Sequence, residues 1–337
     1  MKILSTFAAT LTVAGLLGST ALAQETNLRI QTHHGQESPA GKLMTAFVDK
    51  VEMMSNGEIS IEMFYSSSVV KSAEAFDAAV NGILDCDMTT AAYQTGKNSA
   101  FQFVSDIMGA YETPYQQLSW LYYGGGFDAA QQLYNGYGMQ LVGWSIAGQE
   151  SLSSTSSLAG VADLADWKFR SPPGMETRIF QGLGASPIVM DFTEVFTAME
   201  TGIIEGADAA VLSANQSLGL YDIAKHATFP GFHSMPSDHL ACNLEVWNDI
   251  PVHHQTILSV AMESHAFQLA LTTEQMNNLA ATELRAQGVT LHAWSAEDLQ
   301  AFRSAAQAAW SEFADTPEAE ALLASHLAYL ELIGFNK

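Results

Sequence analysis

Two runs of alternating strand-like and helix-like segments, followed by a long stretch almost free of helix breakers, restrict what this 337-residue chain can become. In the first run, residues 28–31 are strand-like, and 40–54 carry Leu43, Met44, Phe47, Val48 and Val51 at helical spacing. Residues 59–63 alternate like a half-buried strand, 72–81 place Ala75, Phe76, Ala79 and Val80 on one helical face, and 85–90 supply the next strand. A second pass follows Trp144, with strands at 167–170, 187–190 and 207–211 and a helix at 175–183. A further helix there is opened by Asp191 and Glu194 as a capping box and closed at Gly202. Such alternation predicts α/β units with largely parallel sheets. Residues 251–287 read as one or two long helices. Ser295 to Asp298 cap another, with Leu299, Phe302, Ala306, Trp310 and Phe313 on its face, and Pro317 starts the last. The expected architecture is α/β, two lobes joined by long helices, with a small-ligand cleft between them.

The N-terminus reads as an export signal. Met1-Lys2 precedes a mostly apolar stretch over 3–17, and Ala21-Leu22-Ala23 forms an A-x-A cleavage signal, so cleavage is expected after Ala23 into the periplasm. The stretch is short and dotted with Thr, Ser and Gly, unlike a membrane span of about twenty apolar residues, and no later segment approaches one. The mature chain is therefore expected to be soluble and not membrane-spanning. With 13 Lys+Arg against 36 Asp+Glu, a net charge of −23 argues against nucleic acid or anionic membrane surfaces as partners. Cys86 and Cys242 fit either one disulfide or two buried thiols; their apolar flanks favour thiols slightly.

The chain has no nucleophile elbow, phosphate loop, dinucleotide fingerprint or zinc motif, so an enzyme is not expected. Gly124-Gly125-Gly126 reads as a helix stop, and Trp120, Tyr122, Tyr123 and Trp144 as core. The adjacent pairs His33-His34 and His253-His254 should point apart and not chelate, though His34 ends a first-lobe strand where loops face the cleft. Tyr93 follows the strand at 85–90, near the C-terminal edge where α/β ligands gather. Gln149 offers an amide at the lobe junction, and Asp208 is a carboxylate entering a buried strand, which needs an Arg, a metal or a ligand cation beside it. Arg170 is a lone cation ending an apolar run before Pro172-Pro173-Gly174. Its planar fork on a stiff mount suits either carboxylate capture or a surface ion pair.

The ordered run Trp167-Lys168-Phe169-Arg170, then Leu183-Gly184-Ala185-Ser186-Pro187, then Glu194-Val195-Phe196 onward to Glu205-Gly206, resembles the core of DctP-type periplasmic solute-binding proteins of TRAP transporters. Trp120-Leu121-Tyr122-Tyr123-Gly124-Gly125-Gly126, Gly219-Leu220-Tyr221-Asp222 and Phe229-Pro230-Gly231-Phe232-His233 are similar to the branch that binds 2-oxo acids through a bound cation. The resemblance implies a type II-like two-lobed binding fold whose cargo is a small organic carboxylate and whose partners are TRAP membrane subunits. A ligand-sensing protein feeding a membrane receptor is the alternative. Lobe I is expected at 24–147 plus about 232–275, and lobe II at 148–231 plus about 276–337. The family's carboxylate-clamping arginine falls on Arg170, its glutamine on Gln149 and the Glu of a Glu-Trp pair on Asp208, with Tyr93 closing from the first lobe and His34 and His233 lining the cleft. Ala209 stands where the Trp would be and Ser234 where a further Glu would be. Losing a carboxylate removes a hard oxygen ligand, so no resident cofactor or metal is assumed. A smaller side chain at 209 leaves room for a larger ligand, or for a zwitterionic or hydroxylated one.

Overall fold

The computed structural model describes residues 25–335, and the expected signal peptide lies outside them. The first sheet takes β1 (Thr26–Thr32), β2 (Ile59–Phe64), β3 (Cys86–Met88) and β4 (Met139–Ile146). The second takes β5 (Ser153–Ser154), β6 (Lys168–Ser171), β7 (Ser186–Val189), β8 (Gly206–Ala207) and β9 (His226–Thr228). The chain then returns to the first sheet as β10 (Ser237–Asn243) and later to the second as β11 (Thr290–His292). The resulting orders are β2-β1-β3-β10-β4 and β11-β9-β5-β8-β6-β7.

The strands expected from the alternation are parallel where they neighbour one another: β1 with β2 and β3, and β6 with β7 and β8. Each sheet also holds one antiparallel strand between parallel groups, β10 in the first and β5 in the second. Both lie next to a crossing between lobes. The segment from β4 to β5 and the segment from β9 to β10 run side by side, joined by a hydrogen bond from Glu150 N to Ser234 O. Gly231 lies so close to the Glu150 carbonyl that a Cβ there would collide with it, which makes glycine a requirement of this double hinge.

The third crossing is one helix, Val252–Ala286, 35 residues long. It holds no Pro or Gly and spans about 50 Å at 1.5 Å per residue. Leu258, Ala261 and Met262 are buried with the first-lobe core, and Ala280, Ala281 and Leu284 with that of the second. The largest apolar cluster passes behind the hinge, joining Trp144 and Ile146 to Phe169, Phe180 and Phe302.

Four expectations need correction. The last helix, Pro317–Leu332, was assigned to the second lobe but packs on the first-lobe helices Ala100–Ser105 and Gly126–Gly136. Its anchor is His326, stacked on Trp120 at 3.5 Å and hydrogen-bonded to the Tyr111 hydroxyl and the Phe103 carbonyl. Cys86 and Cys242 form a disulfide rather than two thiols, because the β3–β10 register sets them opposite each other. Asp191 accepts from the backbone and hydroxyl of Thr193 in an Asx turn, not a full capping box, so the chain enters its helix through the 3₁₀ turn Phe192–Glu194. The strand expected over 207–211 is only β8, and the backbone leaves the sheet at Asp208.

Candidate functional site

Arg170 lies on β6, flanked by β7 and β8, and is 3% exposed. Its Nε donates to the Met190 carbonyl at 3.2 Å and its Nη1 to the Asp208 carbonyl at 2.8 Å. Both acceptors are backbone atoms on neighbouring chain segments, so the guanidinium is braced from two sides. Among the described residues it forms no ion pair. Its remaining donors belong to a group lining a cavity of about 100 Å³ between the lobes. A buried cation braced by dipoles, in no ion-pair contact among the described residues, keeps donors for a further acceptor.

The second-lobe floor is acidic. Asp208, 1% exposed, pairs with His233, whose Nε2 lies 3.0 Å from Asp208 Oδ1. Burial works against the Asp208 charge, but His233, the adjacent Glu176 carboxyl and the charge of Arg170 outweigh it and hold the carboxyl at about 2. Glu176 and Glu150 have the opposite fate. Burial, then the neighbouring Asp208 charge, pushes both well above the usual carboxylate range. Burial likewise lifts Asp106 to about 7, against hydrogen bonds it accepts from Met235 N and Ser234 Oγ, each at 2.9 Å. One carboxyl is thus held in its ionised form near Arg170, while burial favours the neutral form of its neighbours. This arrangement relieves the local field that the acidic composition would otherwise impose.

The first lobe supplies the facing wall. Tyr93 follows β3 in the 3₁₀ turn Ala91–Gln94, capped by Thr90, and lines the cavity. Burial pushes its hydroxyl above its ordinary range, so it stays neutral. His33 packs its ring 5.9 Å from Tyr93 and 5.7 Å from second-lobe Phe192, and burial with the nearby His34 lowers its basicity to about 3. Across the junction, Gln102 of the first lobe accepts from Met175 N of the second at 2.9 Å. Gly174, at φ +123°, is pressed so close to Gln102 that a Cβ would clash. The lobes are closed on each other.

Arg170, Asp208, Tyr93, His34 and Ser234 therefore converge on one cavity. Gln149 and His233 do not. The Gln149 amide donates to the Tyr111 carbonyl behind the hinge, and it is Glu150 that lines the cavity. His233 stands one layer back and reaches the cavity through Asp208. Ser234 lines the cavity but gives its hydroxyl to Asp106. The expectation that adjacent histidines point apart also fails: β1 ends at Thr32, the chain bends, and both His33 and His34 turn toward Asp238. Asp106, Glu150, Glu176 and Asp238 were not singled out from sequence. The available signal was an isolated acid beside an apolar run, as in Val104-Ser105-Asp106-Ile107 and Gly174-Met175-Glu176.

Residues 30–316 match the model of the DctP family, bacterial extracellular solute-binding protein family 7. The chain belongs to this family. A monocarboxylate 2-oxoacid-binding periplasmic protein of Nostoc is 28% identical over 263 residues, covering 75% of this chain and 69% of that one. The apo open structure of a TRAP periplasmic solute-binding protein from Rhodobacter sphaeroides is 32% identical, covers 92% of this chain and 99% of its own, and superposes with a TM-score of 0.73. A Pseudoalteromonas atlantica relative with bound sodium and pyruvate is 24% identical, covers 92% and 95%, and gives 0.83. As a family 7 protein the chain is the solute-binding component of a TRAP transporter, a binder rather than an enzyme. Family members are extracytoplasmic, and no helix among the described residues is long and apolar enough to cross a membrane.

The family's cation position does not fit the side chains found here. Gln149 is committed to Tyr111, Ser234 to Asp106, and Asp208 to His233. Glu150, Asp208 and His233 gather within 4.8 Å, but an imidazole nitrogen in the set is a poor ligand for a hard cation, which takes an all-oxygen shell.

Proposed function

We propose that this protein captures a small organic carboxylate in the inter-lobe cavity and delivers it from the periplasm, after cleavage at Ala23, to TRAP membrane subunits. The observation that carries the reading is Arg170, buried, braced by two carbonyls and without a counter-ion among the described residues. The ligand carboxylate takes the free edge of the guanidinium, and protonated Glu150 and Glu176 donate to its oxygens. Asp208, fixed by His233, accepts from a hydroxyl or ammonium elsewhere on the ligand. Tyr93 closes over it from the first lobe. A bound acid contacts both lobes, so it favours the closed arrangement by its differential affinity for the two states. Relatives that bind 2-oxo acids, pyruvate and uronates support the carboxylate class. The side chains at Ala209 and Ser234 argue for cargo larger or more polar than pyruvate. Isothermal titration of ligand-stripped protein against organic acids, sugars and amines tests the class. Carboxylates alone should bind tightly, and preference for a neutral sugar would refute the reading.

A further inference from the structure

On the first-lobe wall of the cavity, His33, His34 and Asp238 each place one ligand atom within 4.8 Å of the others, and His34 Nε2 is hydrogen-bonded to Asp238 Oδ2. His34 Nε2 lies 3.0 Å and His33 Nε2 3.9 Å from Asp238 Oδ2. We propose that these three side chains form a binding site for a divalent first-row transition ion, zinc being the type case.

The donor set is what such an ion takes. Two imidazole nitrogens and one carboxylate oxygen suit zinc or its neighbours, whereas calcium and magnesium call for oxygen shells. Zinc–ligand bonds of about 2.0–2.1 Å in a tetrahedron set ligand atoms about 3.3 Å apart. The His34 spacing is already near that, and the His33 spacing needs to close by roughly half an ångström, a small rotation of a ring, to reach it. The side chains are mostly but not wholly enclosed, 9%, 17% and 13% exposed, so an ion can enter while losing much of its water. The His33 ring and the His34 backbone are held in place from outside the cluster. His33 packs between Tyr93 and Phe192, and the His34 backbone donates to Thr32 Oγ1. Asp238 sits in β10, paired to β4, with its backbone opposite Ser145.

All three side chains line the cavity, as does Arg170 from the other lobe. If the carboxylate reading holds, cargo spanning the cavity is gripped by Arg170 in one lobe and by the ion in the other. The metal site itself does not depend on that reading.

A second triad, Glu58, His253 and His254, lies away from the cavity, with His253 66% exposed and His254 also bonded to Thr26, and it serves as an internal control. The experiment is equilibrium dialysis of the chelator-stripped mature protein against Zn²⁺ with no organic acid present, read by elemental mass spectrometry. We expect one ion per chain, bound at least 100-fold more tightly than Ca²⁺ or Mg²⁺. His34→Asn and Asp238→Asn should weaken it at least 100-fold, while His253→Asn leaves it unchanged. Co²⁺ loading of the unaltered protein gives a check free of folding effects, since a four-coordinate histidine-ligated ion has strong visible absorption. Absence of stoichiometric zinc in the unaltered protein, or its loss in His253→Asn with retention in His34→Asn, overturns the proposal. Loss of acid binding in Arg170→Ala with zinc retained leaves the two readings separately judged.

Discussion

Replacing Arg170 with alanine removes the only Lys or Arg among the described residues that line the cavity and, on the proposed reading, deletes a charge-assisted contact to the cargo. The guanidinium is 3% exposed and keeps only two bonds of its own, both to carbonyls, so the ligand carboxylate meets it in a desolvated setting. Truncating one partner of a buried, hydrogen-bonded charge pair costs about 2–5 kcal/mol. At about 1.4 kcal/mol per tenfold, that is a loss of roughly thirty-fold to several thousand-fold in affinity. Arg170→Lys keeps the charge but not the planar fork, and should lose about tenfold or more, because a single ammonium cannot make two parallel bonds. Arg170→Ala also strips a cation from beside Asp208 and Glu176, so thermal melts must accompany the titrations. Isothermal titration with the cognate acid, on protein unfolded and refolded to remove carried-over ligand, gives the numbers. If folded Arg170→Ala and Arg170→Lys both bind as tightly as the unaltered protein, the clamp is elsewhere and the assignment fails.

Reducing Cys86–Cys242 opens a loop of 156 residues. The chain-entropy treatment puts its stabilisation at about 5 kcal/mol as an upper figure, so calorimetry with a membrane-permeant phosphine should show a lower Tm. An unchanged Tm with both thiols titrated refutes this. Asp106 holds its proton up to about 7 when folded, against an ordinary 3.8. Raising pH from about 4 to about 7 therefore ionises the unfolded chain first and costs the folded form up to about 4 kcal/mol. Asp106→Asn should remove that loss, gaining stability relative to the unaltered protein as pH rises through the window. Parallel pH profiles for the two proteins would contradict it. Gln102→Ala deletes the bond to Met175 N that ties the lobes together. It should weaken ligand binding about fivefold and enlarge the unliganded protein in small-angle scattering, for a loss of about 1 kcal/mol. No change in either measurement would mean the bond does not hold the lobes closed.

The sheets and long helices were legible because hydrophobic period and breakers are local signals. The Val252–Ala286 helix needs nothing more than the absence of Pro and Gly. Arg170 stands out for a similar reason, as a lone cation in an apolar strand before a rigid turn, though its local sequence leaves carboxylate capture and a surface ion pair both open. What failed were questions of side and partner. Gln149 and Glu150 are neighbours on the hinge, and only tertiary packing decides which of them turns to the cavity. The disulfide depends on the β3–β10 register, set by strands far apart in sequence. The return of the last helix depends on the socket that Trp120, Tyr111 and Phe103 make for His326, of which residues 317–332 give no hint. The convergence of His33 and His34 arises from a bend just past β1, where strand alternation no longer applies.

The central claim is that this is a carboxylate receptor built around Arg170. Mass spectrometry of small molecules released by denaturing the protein, purified from its native compartment, tests it most directly. The account predicts a small organic acid approaching one per chain, absent from Arg170→Ala prepared in the same way. A neutral or purely cationic molecule released at that stoichiometry would contradict it.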